Sequence, residues 1–142
     1  MNVLFDANVL ISYLLISEKE GTIVTVVEAG FKNKYQLHLP QEVIKEVQEK
    51  ITKKEYLAQR ISQSAVEKFV EALCAIAIIP SNINDQIPEI GRDFKDDYLL
   101  AYGIVGECDY LVTGDDDLLV LKQVENLGIV TPSEFLEIIK EK

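Results

Sequence analysis

A chain of 142 residues, 48% apolar and 27% charged, has the make-up of one globular domain and not of a disordered segment. Its formal net charge of −10 argues at first against a nucleic-acid partner, whose phosphates call for Lys and Arg. Cys74 and Cys108 lack any CxxC spacing, so neither a zinc site nor a redox dithiol is suggested, and a single histidine, His38, excludes any site built from several histidines.

The apolar start VLFDANVLISYLLI lacks a basic leader and carries Asp6 and Asn8. It predicts neither a secretory nor a membrane-spanning segment and, with two isolated thiols, a cytoplasmic protein. Val3-Leu4-Phe5 reads as a buried strand, followed by helices over 8–15 and 23–31 and a strand over 35–39 that gives His38 a structural role. Pro40 then opens a helix in which Val43, Val47 and Ile51 recur at i, i+4, i+8 as a core-facing stripe. Ser64 with Glu67 reads as a capping box ahead of Val66, Phe69, Val70 and Leu73 at helical spacing. A strand is expected over 75–79, ended by Pro80, then a polar loop over 81–95 and a helix from about Asp96. A strand over 110–113 and a short one at Ile129-Val130 follow. Thr131-Pro132-Ser133-Glu134 supplies a cap, a proline at the first helical position and a reciprocating Glu for a closing helix. Unbroken apolar strands separated by helices predict a three-layer α/β/α sandwich with a central parallel sheet, residues 1–142 forming a single domain. Ligands of such sheets bind beyond the carboxyl ends of the strands.

Two acids fall on that rim. Asp6 directly follows the first strand, and Asp115 stands two residues past the strand over 110–113, after Gly114. Asp96 and Asp97 sit in the first turn of a helix, where capping alone accounts for one acid of the pair. Glu46 precedes Val47 and so borders the buried face, whereas Glu42, one turn earlier, reads as a solvated glutamate. In TGDDDLL, Asp115, Asp116 and Asp117 repel one another, a cost that a cation would relieve. Carboxylate oxygens without histidine or thiolate suit Mg²⁺ or Mn²⁺. One or two such ions grip a phosphodiester, activate a water and stabilise the departing oxygen. Charge is also unevenly spread: residues 85–117 hold ten acids against Arg92 and Lys95, and residues 32–60 hold seven bases against four acids. Lys45, Lys50, Lys53 and Lys54 are therefore candidates for phosphate contacts, a solvated helix face being the equal alternative.

The pieces VLFDANVLIS, LPQEVIKEVQEKI, RDFKDDYLLAYG, CDYLVTGDDDLL and TPSEFLEII, in this order and spacing, resemble PIN-domain proteins along nearly the whole chain. The resemblance is to the single-domain toxins of bacterial and archaeal toxin–antitoxin pairs. It implies that Asp6 is the first acidic ligand with Asn8 beside it, and that Glu46 is the helical second acid. The third falls in the Asp96-Asp97 pair, with the spacing to Asp115 favouring Asp97. Asp115 is the fourth, supported by Asp117, with Thr113 holding a carboxylate or a water; Asp116 occupies a variable surface position. Ala7 stands where many relatives have threonine, which removes a hydroxyl but no ligand. The implied activity is endonucleolytic hydrolysis of RNA by metal-activated water with Mg²⁺ or Mn²⁺, leaving a 5′-phosphate and a 3′-hydroxyl. An antitoxin partner and a homodimer are implied as well. Two other readings compete. A catalytically inert PIN-fold interaction module is disfavoured by the full set of acids. An aspartate-based phosphotransfer enzyme would want a second Asp where Asn8 stands.

Overall fold

The structure, a computed structural model, describes residues 1–16, 21–81 and 94–141, with only the backbone for 94–97. Among the described residues, five strands form one sheet in the order β2-β1-β3-β5-β4. They are β1 Asn2–Phe5, β2 Gln36–His38, β3 Tyr110–Val112, β4 Gln123–Val124 and β5 Leu127–Val130. β1 pairs parallel with β2 and β3, and β3 parallel with β5, but β4 runs antiparallel to β5. The expected parallel sheet is thus mixed at one edge. A two-residue strand with Lys122 and Glu125 at positive φ on either side of it is too short to carry an apolar signal.

The helices among the described residues are α1 Ala7–Leu15, α2 Thr22–Phe31, α3 Gln41–Lys53, α4 Glu55–Arg60, α5 Gln63–Ile76, α6 Phe94–Val105, α7 Asp116–Leu119 and α8 Pro132–Lys140. They cover the sheet on both faces. Consecutive residues of β1 point to opposite sides, yet Val3, Leu4 and Phe5 are all sealed from solvent. α6 packs against β1, β3 and β5, while α8 packs on β5 and α2. Phe135 of α8 meets Phe5 and Tyr35 edge-on, at ring separations of 6.4 and 5.4 Å. Truncating such a buried ring costs about 3–5 kcal/mol. Gly103 lets α6 approach β5 closely, since a Cβ there would stand 2.6 Å from a Leu127 methyl.

The stripe Val43, Val47 and Ile51 is buried as its period requires. α8 carries its capping box, with Thr131 Oγ1 accepting from Glu134 N at 3.1 Å and Glu134 Oε1 from Thr131 N at 2.9 Å. Elsewhere the structure corrects the expectations. Ser62, not Ser64, caps α5, accepting from Ala65 N at 3.1 Å. Ile61 before it and Val66 beyond it are both buried, the pattern of a hydrophobic staple that sets the start two residues earlier. Of the strand expected over 75–79, Ala75 and Ile76 are the end of α5 and Ala77 is its cap, because the Val66–Phe69–Leu73 stripe carries the helix to Ile76. What survives is one parallel bridge between Ile78 and His38. α4 and α7 were not foreseen as helices. Of the loop expected over 81–95, residues 82–93 lie outside the described residues, and Phe94 and Lys95 already belong to α6. No helix of the described residues is long and apolar enough to cross a membrane. Cys74 and Cys108 are free; Cys108 is buried in the core and its thiol is pushed up to about 12, chiefly by burial.

Candidate active site

β1 and β3 are neighbours, but the chain leaves β1 for β2 on one side and leaves β3 for β5 on the other. The crevice beyond their carboxyl ends is therefore the switch point of the sheet, where parallel α/β folds bind ligands. Asp6 and Thr113 are the first residues past these two strands. Asp6 N donates to Val112 O at 3.0 Å, so the register of β1 on β3 fixes where the carboxylate stands.

Asp6 is only 4% exposed and Thr113 fully buried. Thr113 Oγ1 donates to Asp6 Oδ2 at 2.8 Å, and Asn8 N donates to Asp6 Oδ1 at 3.2 Å, making Asp6 the N-cap of α1. Burial pushes the Asp6 carboxyl above the ordinary aspartate range. The Thr113 hydroxyl and Asn8 N–H pull it back in part, the charge of Glu46 raises it, and that of Lys50 lowers it. The same Thr113 oxygen accepts from Asp115 N at 3.0 Å, which ties Asp115 to Asp6 through one hydroxyl.

Asp115 caps α7, and its Oδ1 accepts from Asp117 N at 2.9 Å. Asp116 and Asp117 are exposed in the first turn of that helix. There the orphan N–H groups favour negative charge, so the run of three acids has a local compensation besides a cation. Gly114 has no positive φ and a Cβ would meet nothing there, so the turn does not depend on glycine.

The facing wall is α3. Glu46 and Lys50, one turn apart, form an ion pair of 2.9 Å with side chains 25% and 30% exposed. Glu46 Oε1 also accepts from Tyr98 Oη at 2.9 Å, and Lys50 Nζ donates to Asn8 Oδ1 at 3.1 Å. One turn earlier, Tyr102 Oη donates to Glu42 Oε2 at 2.6 Å, while Glu42 Oε1 is buried without a partner among the described residues. Glu42 is thus half-buried and bonded, not the solvated glutamate expected. Tyr98 and Tyr102, stacked edge to face at 6.5 Å, make two rungs between α6 and α3. Their signal in the sequence was available: tyrosines at i and i+4 match glutamates at i and i+4 on another helix.

Asp6, Asn8, Glu46 and Asp115 line one cleft of about 670 Å³ with Glu42, Glu49 and the four lysines 45, 50, 53 and 54. Thr113 and Asp117 are not among its lining residues; Thr113 stands behind Asp6. Asp96 and Asp97 are in the first turn of α6, but their side chains lie outside the described residues. Tyr98, the next residue, reaches Glu46, so α6 enters the cleft wall at its beginning.

The PIN-domain family model matches residues 2–117, from the start of β1 to Asp117. The chain belongs to the PIN-domain family. Members of this family are generally nucleases, which places the chain with the phosphodiester hydrolases at that coarse level. No curated protein matches it. The matched span contains both walls of the cleft, and only the second half of α7, β4, β5 and α8 lie beyond it.

Among the described residues, no three side chains of His, Cys, Asp or Glu gather tightly enough to enclose a metal ion. The cation-binding donors of the cleft are the side-chain oxygens of Asp6, Asn8, Glu42, Glu46, Glu49 and Asp115, beside four lysine ammonium groups that bind no metal while charged. Glu42 Oε1 is buried without a partner among the described residues. That chemistry fits a hard divalent cation and not zinc.

Proposed function

We propose that residues 1–142 form a Mg²⁺- or Mn²⁺-dependent endoribonuclease, the toxin of a toxin–antitoxin pair. The observation that carries this reading is the buried Asp6 carboxylate at the β1–β3 switch point, sharing one cleft with Asp115, Glu46 and four lysines. Asp6 and Asp115 would hold the ion, with Glu46 and Asp97 completing the acid set and Asp96 and Asp117 supporting it. When bound, such an ion lowers the pKa of water and neutralises charge on the phosphodiester oxygens.

The chain's own residues do the rest. Thr113 keeps Asp6 in one rotamer by a buried hydrogen bond. Asp115 has one oxygen bonded by Asp117 N–H, and the other is available among the described residues to orient the attacking water and accept its proton. Water's oxygen bonds to phosphorus as the bond to the 3′ oxygen breaks, and the departing oxygen takes a proton from solvent, leaving a 5′-phosphate and a 3′-hydroxyl. The nucleotide's 2′-hydroxyl is not the nucleophile, which agrees with a cleft that holds no histidine. Lys45, Lys53 and Lys54 face the same cleft and are suited to flanking phosphates, positions that set affinity and not sequence preference. An antitoxin would cover this rim with a basic side chain, and the toxin would pair as a homodimer.

Purified protein is expected to cleave RNA with Mn²⁺ or Mg²⁺ and to stop on adding EDTA or on Asp6→Asn. Cleavage that survives both would end the mechanism. The second reading, an inert interaction module, draws on the absence of an enclosed three-acid cluster among the described residues. Calorimetry with no divalent-ion binding at millimolar concentration would favour it.

A further inference from the structure

Lysines along α3 are not equivalent. Lys45 pairs with Glu49 at 4.0 Å with its side chain 76% exposed, an interaction of little worth at a surface. Lys53 and Lys54 have no ion pair among the described residues and are exposed at the mouth of the cleft. Lys50 is different. Its ammonium is 2.9 Å from Glu46 Oε2 and 3.1 Å from Asn8 Oδ1, so it ties α3 to the start of α1 within the cleft itself.

The acceptor capacity of the cleft is divided accordingly. On the helical side both Glu46 oxygens are engaged, Oε1 by the Tyr98 hydroxyl and Oε2 by the Lys50 ammonium, and Glu42, one turn away, keeps only Oε1 without a partner among the described residues. On the strand-end side each Asp6 oxygen accepts one neutral donor and keeps a lone pair, and Asp115 keeps one oxygen without a partner among the described residues. No ammonium bonds either of these acids among the described residues. A dication brought to Glu46 would have to displace Lys50 or sit beside a positive charge in a partly buried site.

We propose that Lys50 is the built-in cation of this cleft. It takes the Glu46–Asn8 side, so the site accepts one divalent ion, between Asp6 and Asp115, instead of two. The inference rests on the reading of the cleft as a metal site and adds the number of ions and the residue that sets it.

The test is the count of Mn²⁺ ions on the intact chain, by calorimetry with parallel electron paramagnetic resonance of free Mn²⁺. Wild type is expected to bind one ion. Lys50→Met, which keeps most of the apolar stem, is expected to bind a second one. Lys50→Arg keeps the charge and should return the count to one, as should the control Lys53→Met. A thermal melt checks that Lys50→Met is folded, and Lys50→Gln provides a second neutral variant. Two ions on wild type, or one ion of unchanged affinity on both neutral variants, would overturn the role of Lys50 while leaving the metal site standing. A wild-type chain that binds no Mn²⁺ would bring down the metal site, and this inference with it.

Discussion

On the strand-end wall of the cleft, Asp6 and Thr113 are almost wholly buried and held by a register of parallel strands plus one hydroxyl. On the helical wall, Glu42 and Glu46 are half-exposed and held by side chains of two other helices, through Tyr98, Tyr102 and the contact of Lys50 with Asn8. The first arrangement is rigid because backbone hydrogen bonds fix it. The second can adjust, because each of its bonds ends on a rotatable side chain. A cleft with one fixed and one adjustable wall would locate the reacting group by the first and accommodate a bulky polymer by the second.

The comparison predicts unequal losses. Asp6→Asn removes the charge from the fixed wall and is expected to lower RNA cleavage by on the order of a thousandfold. Glu46→Gln on the adjustable wall should cost less. Equal losses measured under single-turnover conditions would mean that the two walls do not differ in function. Thr113→Val comes next. It leaves a buried carboxylate oxygen without its donor, which costs about 1–3 kcal/mol of stability in a urea titration. It also frees the Asp6 rotamer, with an expected loss of about 10–100-fold in rate, the usual scale for a residue that orients a ligand. Wild-type activity in a folded Thr113→Val chain would show that the sheet register alone suffices.

The same difference explains what could be read from the sequence. Asp6 and Asp115 were legible because a strand end is a local feature: an apolar run, then an acid. That Thr113 holds a carboxylate is implied by the family resemblance and not by the strand end, and its hydroxyl does bond Asp6 Oδ2. Glu46 was placed beside the buried stripe by its position before Val47, but the partners that hold it were not. Tyr98 is 52 positions from Glu46, and Tyr102 is 60 from Glu42, and only the packing of α6 on α3 brings them together. The strand order that makes the β1–β3 crevice a switch point was likewise not local information. The error at 75–79 has a different origin: a run of β-branched residues competes with a helical stripe, and the buried stripe prevails. The acidic run at 115–117 misled in emphasis, since a one-turn helix gives two of its members an ordinary place at an N-terminus.

A smaller effect separates the two rungs of the helical wall. Tyr98→Phe removes a donor from Glu46, which lines the site beside Lys50. The loss expected is about tenfold in cleavage with little change in melting temperature. Tyr102→Phe removes the donor from Glu42, whose other oxygen is already buried and unpartnered. Stability should fall by about 1–2 kcal/mol there, with cleavage nearly unchanged. If Tyr102→Phe proved the more damaging to cleavage, Glu42 and not Glu46 would be the functional acid of α3.

The smallest effect concerns the footing of that wall. His38 ends β2 just ahead of the Leu39-Pro40 step into α3; it is 8% exposed, and its Nε2 has no partner among the described residues. Burial lowers its pKa below the ordinary histidine value of 6.5. The unfolded chain therefore takes up a proton at this residue before the folded chain does. Its contribution to stability is complete above pH 6.5 and is lost as pH falls from there through the lower folded value, with a slope of at most about 1.4 kcal/mol per pH unit. Urea midpoints of wild type and His38→Gln between pH 7.5 and 5 should converge as pH falls, because only the wild type carries this loss. Parallel curves would mean that His38 titrates normally, and that the base of α3 opens to water more readily than the strand-end wall does.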